Sequence, residues 1–181
     1  MSATMASPVP RRVVGLTVGD RGSLLDMRGP SFVPDDFEPP AGLVTPDFVL
    51  EPLGPQHNER DHAAWTSSIE HILATPGIVQ PGEKHSWPHP MAPEENLSAL
   101  VHHAEDFAVR RGFTYTVLDP VGNDVIGCLY IYPLKDYEHD ARVKSWVKAS
   151  RAALDLVLWR AVADWLAAAW PFRNPQYAAR A

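Results

Sequence analysis

The chain has 181 residues, 45% hydrophobic and 21% charged, which suits one globular domain with an added arm. Its 22 acidic and 16 basic side chains give a formal net charge of -6, so the basic footprint of a nucleic-acid binder is missing. A single cysteine, Cys128, excludes an intrachain disulfide, and no apolar run approaches the roughly 20 residues of a membrane helix.

Half of the 18 prolines fall before residue 56, and residues 1–46 also carry many glycines and acids. That composition forbids long helices, so 1–46 is read as a Pro-rich arm, partly flexible and partly laid over the domain, with one short strand at 13–18. Arg11 and Arg12 precede an apolar run that stops by Asp20, too early for the core of an export signal. A cytoplasmic protein is expected, and the regular domain spans 47–181.

A strand is predicted at 48–53. Gly54 and Pro55 break it, and one helix is predicted over 56–74, with Trp65, Ile69, Ile72 and Leu73 on one face. The loop 77–92 holds Trp87-Pro88-His89-Pro90, and loops of that length inside a domain are often functional. Pro93 opens a second helix, where Glu94 and Glu95 suit the dipole. Its stripe is Leu97, Leu100, Val101, Ala104, Phe107 and Ala108, and Gly112 is placed just past its end. The period then changes. Strands at 113–118 and 125–134, joined by the turn residues 119–124, read as a hairpin, with a bulge at Gly127. A further strand at 142–148 feeds a helix over 151–170, with Leu154, Leu158, Ala161, Val162, Trp165 and Ala169 buried, and a weak last strand covers 172–179. The order β-α-α-β-β-β-α-β is a mixed α/β (α+β) plan with an antiparallel meander and one parallel crossover.

This order, the central strand "DVIGCLYIYPL" and the phrase "ARVKSWV" running into a helix resemble the GNAT family of N-acetyltransferases over about residues 47–179. The resemblance implies an acyl-CoA N-acyltransferase fold: a mostly antiparallel central sheet flanked by helices, here truncated after the fifth family strand. It also implies acetyl-CoA as co-substrate, lying where the family's fourth and fifth strands splay apart, and direct attack by the amine of a small molecule or peptide. Trp146, Val147, Lys148, Ser150, Arg151, Ala152 and Ala153 fall on the cofactor strand and loop. Physically, the first N–H groups of a helix are unpaired and its dipole favours an anion, while glycines let phosphates approach closely.

The loop departs from the family's pattern. Ala153 and Asp155 stand at the two glycine positions, and Asp155 would repel a pyrophosphate by about 1–4 kcal/mol per charge pair, with Lys148 and Arg151 placed to offset it. A local alternative reads the same residues as a plain helix start: Ser150 as cap, Asp155 on the dipole, Arg151 paired with Asp155 four residues on. The family's further helix and strands, and the tyrosine acid they often bring, do not follow before Ala181. A homodimer completing the sheet, chemistry without that acid, and a catalytically inactive binding domain are therefore all open readings.

Glu138, His139 and Asp140 precede the splayed strand and are candidate bases, against a solvated acidic loop. Trp87 and His89 are candidate walls of an acceptor pocket. Among Tyr115, Tyr130, Tyr132 and Tyr137, Tyr132 is the candidate acid. His85 and His89 are four apart, but Pro88 and Pro90 oppose a helix there. His102 and His103 are adjacent and point about 100° apart on a helix, so no metal site is expected. Cys128, in an apolar run, is read as a buried small hydrophobe.

Overall fold

The computed structural model describes residues 32–80, 87–134, 136 and 138–180. Strands β1 (Leu43–Val44), β2 (Val49–Pro52), β3 (Phe113–Leu118), β4 (Val125–Tyr132) and β5 (Ala141–Val147) pair antiparallel in chain order, and β6 (Pro175–Tyr177) joins β5 in parallel. The helices are α1 (Asn58–Thr66), α2 (Ile69–Ala74), α3 (Pro93–Ala108) and α4 (Asp155–Ala169). Successive strand side chains face opposite ways. Leu129, Ile131, Val143 and Val147 pack on Leu158, Val162, Trp165 and Leu166 of α4. Cys128 and Trp146 pack on Trp65, Ile72 and Leu100 from the other three helices. The result is the expected mixed α/β sandwich, a largely antiparallel sheet covered by helices on both faces.

Register places the hairpin bulge at Ile126, beside Gly127: Val117 pairs with Gly127 and Leu118 with Val125, leaving Ile126 over. Gly127 is required by a close approach, since a Cβ there would lie 2.2 Å from the Trp146 carbonyl oxygen. Residues from the arm join the core. Val33 is buried, the Phe32 ring stacks 5.8 Å from Phe113, and the Tyr115 hydroxyl donates to the Pro40 carbonyl at 2.6 Å.

Four expectations need correction. The helix predicted over 56–74 is a 3₁₀ turn followed by α1 and α2, broken at Ser67 and Ser68. There Thr66 and Ser67 hydroxyls bond back to the His62 and Ala64 carbonyls, competing with the helical ladder. Gly112 does not close α3. Arg110 takes the left-handed conformation (φ 62°), its guanidinium held by the carbonyls of Pro34, Asp35 and Phe37, while Gly112 makes room for the Tyr132 ring. On α3, Leu100 is buried and Phe107 packs on the core as expected, but Leu97 and Val101 are 39% and 36% exposed and Asn96 is buried beside Leu100. Finally, α4 begins at Asp155. Residues Ala149–Leu154 form a 3₁₀ segment interrupted at Arg151 (φ -121°, ψ 23°). The strand expected at 13–18 lies outside the described residues.

Candidate functional site

The parallel pair β5–β6 is short. It is paired at Ala141–Pro175, Arg142–Gln176 and Val143–Tyr177 only, whereas β5 stays zipped to β4 along its length, ending with the Lys148 N–H donating to the Ile126 carbonyl at 2.8 Å. Past Val143, therefore, the outer edge of β5 parts from the chain that follows β6. This opening adjoins the 148–155 loop, and Arg180 spans it. Its guanidinium, 3% exposed, donates to Asp155 Oδ2 at 2.6 Å, to the Ser145 carbonyl at 3.0 Å and to the Pro76 carbonyl at 2.8 Å. The Tyr177 hydroxyl lies 2.6 Å from Ser145 Oγ, and burial pushes its phenol up to about 12.

The loop donors are largely claimed. Ser68 Oγ, presented by the break between α1 and α2, accepts the Ala149 N–H at 3.0 Å, and the Arg151 N–H goes to the Lys148 carbonyl at 2.8 Å. Ser150 makes no cap, and Asp155 pairs with Arg180, not with Arg151. Lys148 pairs with Asp124 and Arg151 with Asp119, both in the β3–β4 turn. Ser150, Arg151, Ala152 and Ala153 face solvent, while Trp146 and Val147 are buried on opposite faces of β5. Oδ1 of Asp155 is buried and has no partner among the described residues.

Glu138, His139 and Asp140 lie at the other end of β5, about 20 Å of strand from the loop. Asp140 accepts the backbone N–H groups of Arg173 and Asn174, the Glu138 carbonyl accepts the Asn174 side chain, and His139 sits 3.1 Å from Asp136. Together these contacts pin the loop to the segment before β6. Tyr132 is elsewhere again. Its hydroxyl lies 2.8 Å from His103 Nδ1 and donates to Asp106 at 3.2 Å, with burial raising the phenol to about 12.

On the opposite sheet face, α1, the loop after Trp87, α3 and β4 enclose a cavity of about 360 Å³ lined by Leu53, Asp61, Trp65, Trp87, Met91 and Tyr130, among others. Here Trp87 and His89 do come together as wall residues, with His103 and Asn96. The Trp87 ring centre lies 6.0 Å from Trp65, 6.2 Å from Tyr130 and 6.1 Å from Trp146. Asn96 organises the floor: Oδ1 accepts the Trp65 indole N–H at 3.0 Å, and Nδ2 donates to Asn58 Oδ1 at 2.9 Å and Asp61 Oδ2 at 3.0 Å. Asp61 is 4% exposed, and burial raises its carboxyl to about 6 against the opposing Asn96 bond and the neighbouring His57 and His62. The sequence reading passed over Asp61 and Asn96. The available signal was a carboxylate four residues before Trp65, on the helix's apolar stripe.

No family model matches the chain, and no curated protein does. Solved structures do. The ribosomal-protein-S5-alanine acetyltransferase from Vibrio fischeri superposes with a TM-score of 0.52 at 15% identity, over 70% of this chain and 67% of that one. The microcin C7 self-immunity acetyltransferase MccE, in complex with acetyl-CoA and AMP, superposes with a TM-score of 0.50 at 11% identity, over 73% and 71%. The fold is the GNAT acyl-CoA N-acyltransferase fold. Among the described residues, no helix is long and apolar enough to cross a membrane.

Proposed function

We propose that the protein is an acyl-CoA-dependent N-acyltransferase that moves an acetyl group from acetyl-CoA to the amine of a small molecule or peptide. The observation that carries this reading is the parting of β5 from the chain after β6 past Val143, which leaves a strand edge for a pantetheine arm beside the 148–155 loop. MccE is solved in complex with acetyl-CoA and AMP, and that supports acetyl-CoA as the co-substrate here. Trp146, Val147, Lys148, Ser150, Arg151, Ala152 and Ala153 would flank the cofactor. In the reaction the neutral amine nitrogen attacks the thioester carbonyl, the C–S bond breaks, and the proton shed by nitrogen leaves with the thiolate. Positioning by the strand edge supplies most of the acceleration. Arg180 has to swing out of the cleft first, and its guanidinium is then free to meet a phosphate.

A second reading rests on the same arginine. With Arg180 bridging Asp155, Ser145 and Pro76, the cleft is closed, which favours a GNAT-fold binding domain without transfer chemistry. Melting of the wild type and of Arg180→Ala with acetyl-CoA or CoA separates the two. A ligand at 100 times its Kd stabilises by about 2.7 kcal/mol. The transferase reading expects a shift in the wild type, a larger one in the variant, and thiol release when an amine is added. No shift in either protein at millimolar ligand ends it.

A further inference from the structure

We propose that the cavity between α1, α3 and β4 binds a small protonated amine with an apolar body, the ammonium against Asp61 and the body among Trp65, Trp87 and Tyr130. The proposal stands beside the transferase reading without resting on it, and its test needs no acetyl-CoA.

The charge balance makes the first argument. Among the described residues, Asp61 is the one acidic side chain lining the cavity, and no lysine or arginine lines it. Among the described residues, a neutral amide, Asn96 Nδ2, donates to Oδ2. Titratable groups surround it: His89 and His103 line the cavity, and His57 and His62 lower the carboxyl's pKa against the larger effect of burial. His57 accepts the Gly54 N–H on Nδ1 and directs Nε2 to Glu51 at 2.7 Å. His62 directs Nε2 to the Met91 carbonyl at 2.9 Å. His103, across on α3, is held below its usual range by burial and turns Nδ1 toward Tyr132. On β4, burial raises the Tyr130 phenol and the Cys128 thiol, so both stay neutral. A buried carboxylate left this way takes up either a proton or a cation.

The walls make the second argument. Three rings converge on Trp87 at 6.0–6.2 Å between centres, and aromatic faces attract cations while burying apolar surface. Asn96, clamped between Trp65 and Asp61, fixes both carboxylate and indole before any ligand arrives. The size selects the class, because 360 Å³ lies near the low end of small-molecule sites, roughly 300–1,000 Å³. That suits an arylalkylamine better than a peptide.

The experiment is calorimetric titration of the full chain with 2-phenylethylamine and with its uncharged analogue 2-phenylethanol at pH 7.5. The amine should bind about tenfold or more tightly than the alcohol. Asp61→Asn should erase that preference while keeping alcohol binding, and Trp87→Leu should weaken both ligands. The preference should also shrink on lowering the pH to 5, as Asp61 gains a proton. Equal binding of the two ligands, no binding of either to a wild type that melts cooperatively, or a preference that survives Asp61→Asn overturns the proposal. An acetyl-CoA melting shift without amine preference would sink this site and leave the transferase reading standing. Amine preference without an acetyl-CoA shift would do the reverse.

Discussion

Replacing Asp61 by asparagine tests the electrostatics of the cavity without any ligand. In the folded chain burial raises the Asp61 carboxyl from 3.8 to about 6. A folded-state value above the unfolded one means the native state holds the proton more tightly. The stabilisation this gives is complete below about pH 4 and is lost as the pH rises through about 6. Two units at about 1.4 kcal/mol each put the cost of keeping the carboxylate ionised near 3 kcal/mol at neutral pH. Asparagine has the same shape and no charge, and its oxygen can still accept from Asn96 Nδ2. Its own NH₂ needs an acceptor or water in the cavity, which takes back about 1 kcal/mol. Asp61→Asn should therefore be more stable than the wild type by about 1–3 kcal/mol at pH 8, a melting rise of about 2–4 °C per kcal/mol for a chain of this size. The gain should vanish near pH 4. Urea midpoints from pH 4 to 8 measure it, with unchanged m-values confirming that the unfolded state is the same. A variant less stable than the wild type at pH 8, or a difference independent of pH, would refute the reasoning.

Two further outcomes follow from packing. Gly127→Ala drives a Cβ to 2.2 Å from the Trp146 carbonyl oxygen, so β4 and β5 have to separate, and a loss of about 2–3 kcal/mol in urea unfolding is expected; a neutral effect would mean the bulge relaxes freely. Cys128 is fully buried, its thiol is raised by burial and donates to the Tyr115 carbonyl at 3.1 Å. Iodoacetamide at pH 8 should leave it unmodified in the native protein and label it fully in urea, and native labelling at the rate of a free thiol would contradict that burial.

The parts of this fold written in local sequence were readable. The strand at 113–118 appears with those bounds, the turn residues 119–124 close the hairpin, and Pro93 opens α3. What escaped depends on residues distant in the chain. Nothing near Asp155 announces Arg180, 25 positions on, and nothing near Ala149 announces that Ser68 caps its N–H from 81 positions back. The Arg151–Asp155 pair looked sound by spacing, yet the helix does not begin until Asp155, so the i, i+4 geometry never forms and Arg151 goes to Asp119 instead. One edge of the α3 stripe was misjudged for a related reason. Periodicity counts Leu97 and Val101 as inward, but the buried position is Asn96, whose Oδ1 accepts the Trp65 indole N–H while those two aliphatics stay partly exposed.

Two carboxylates set into helices against this sheet receive opposite treatment, and the contrast bears on both proposals. Asp155 is neutralised by a buried arginine that also occupies the β5 edge, so the repulsion expected between Asp155 and a pyrophosphate is already offset within the protein. The same contact has to be surrendered before a pantetheine arm can pair with β5 at Ser145. A charged, buried hydrogen-bonded contact of this kind contributes about 2–3 kcal/mol, enough to weaken apparent cofactor affinity about 30- to 150-fold unless Arg180 finds a phosphate in exchange. Among the described residues, Asp61 has no such arginine. It is held by a neutral amide in a cavity walled by rings, so its charge remains available to whatever enters. A chain that closes one carboxylate with its own cation and leaves the other open separates the two jobs physically: Arg180 governs access to the strand edge, and Asp61 governs what cation the opposite face accepts.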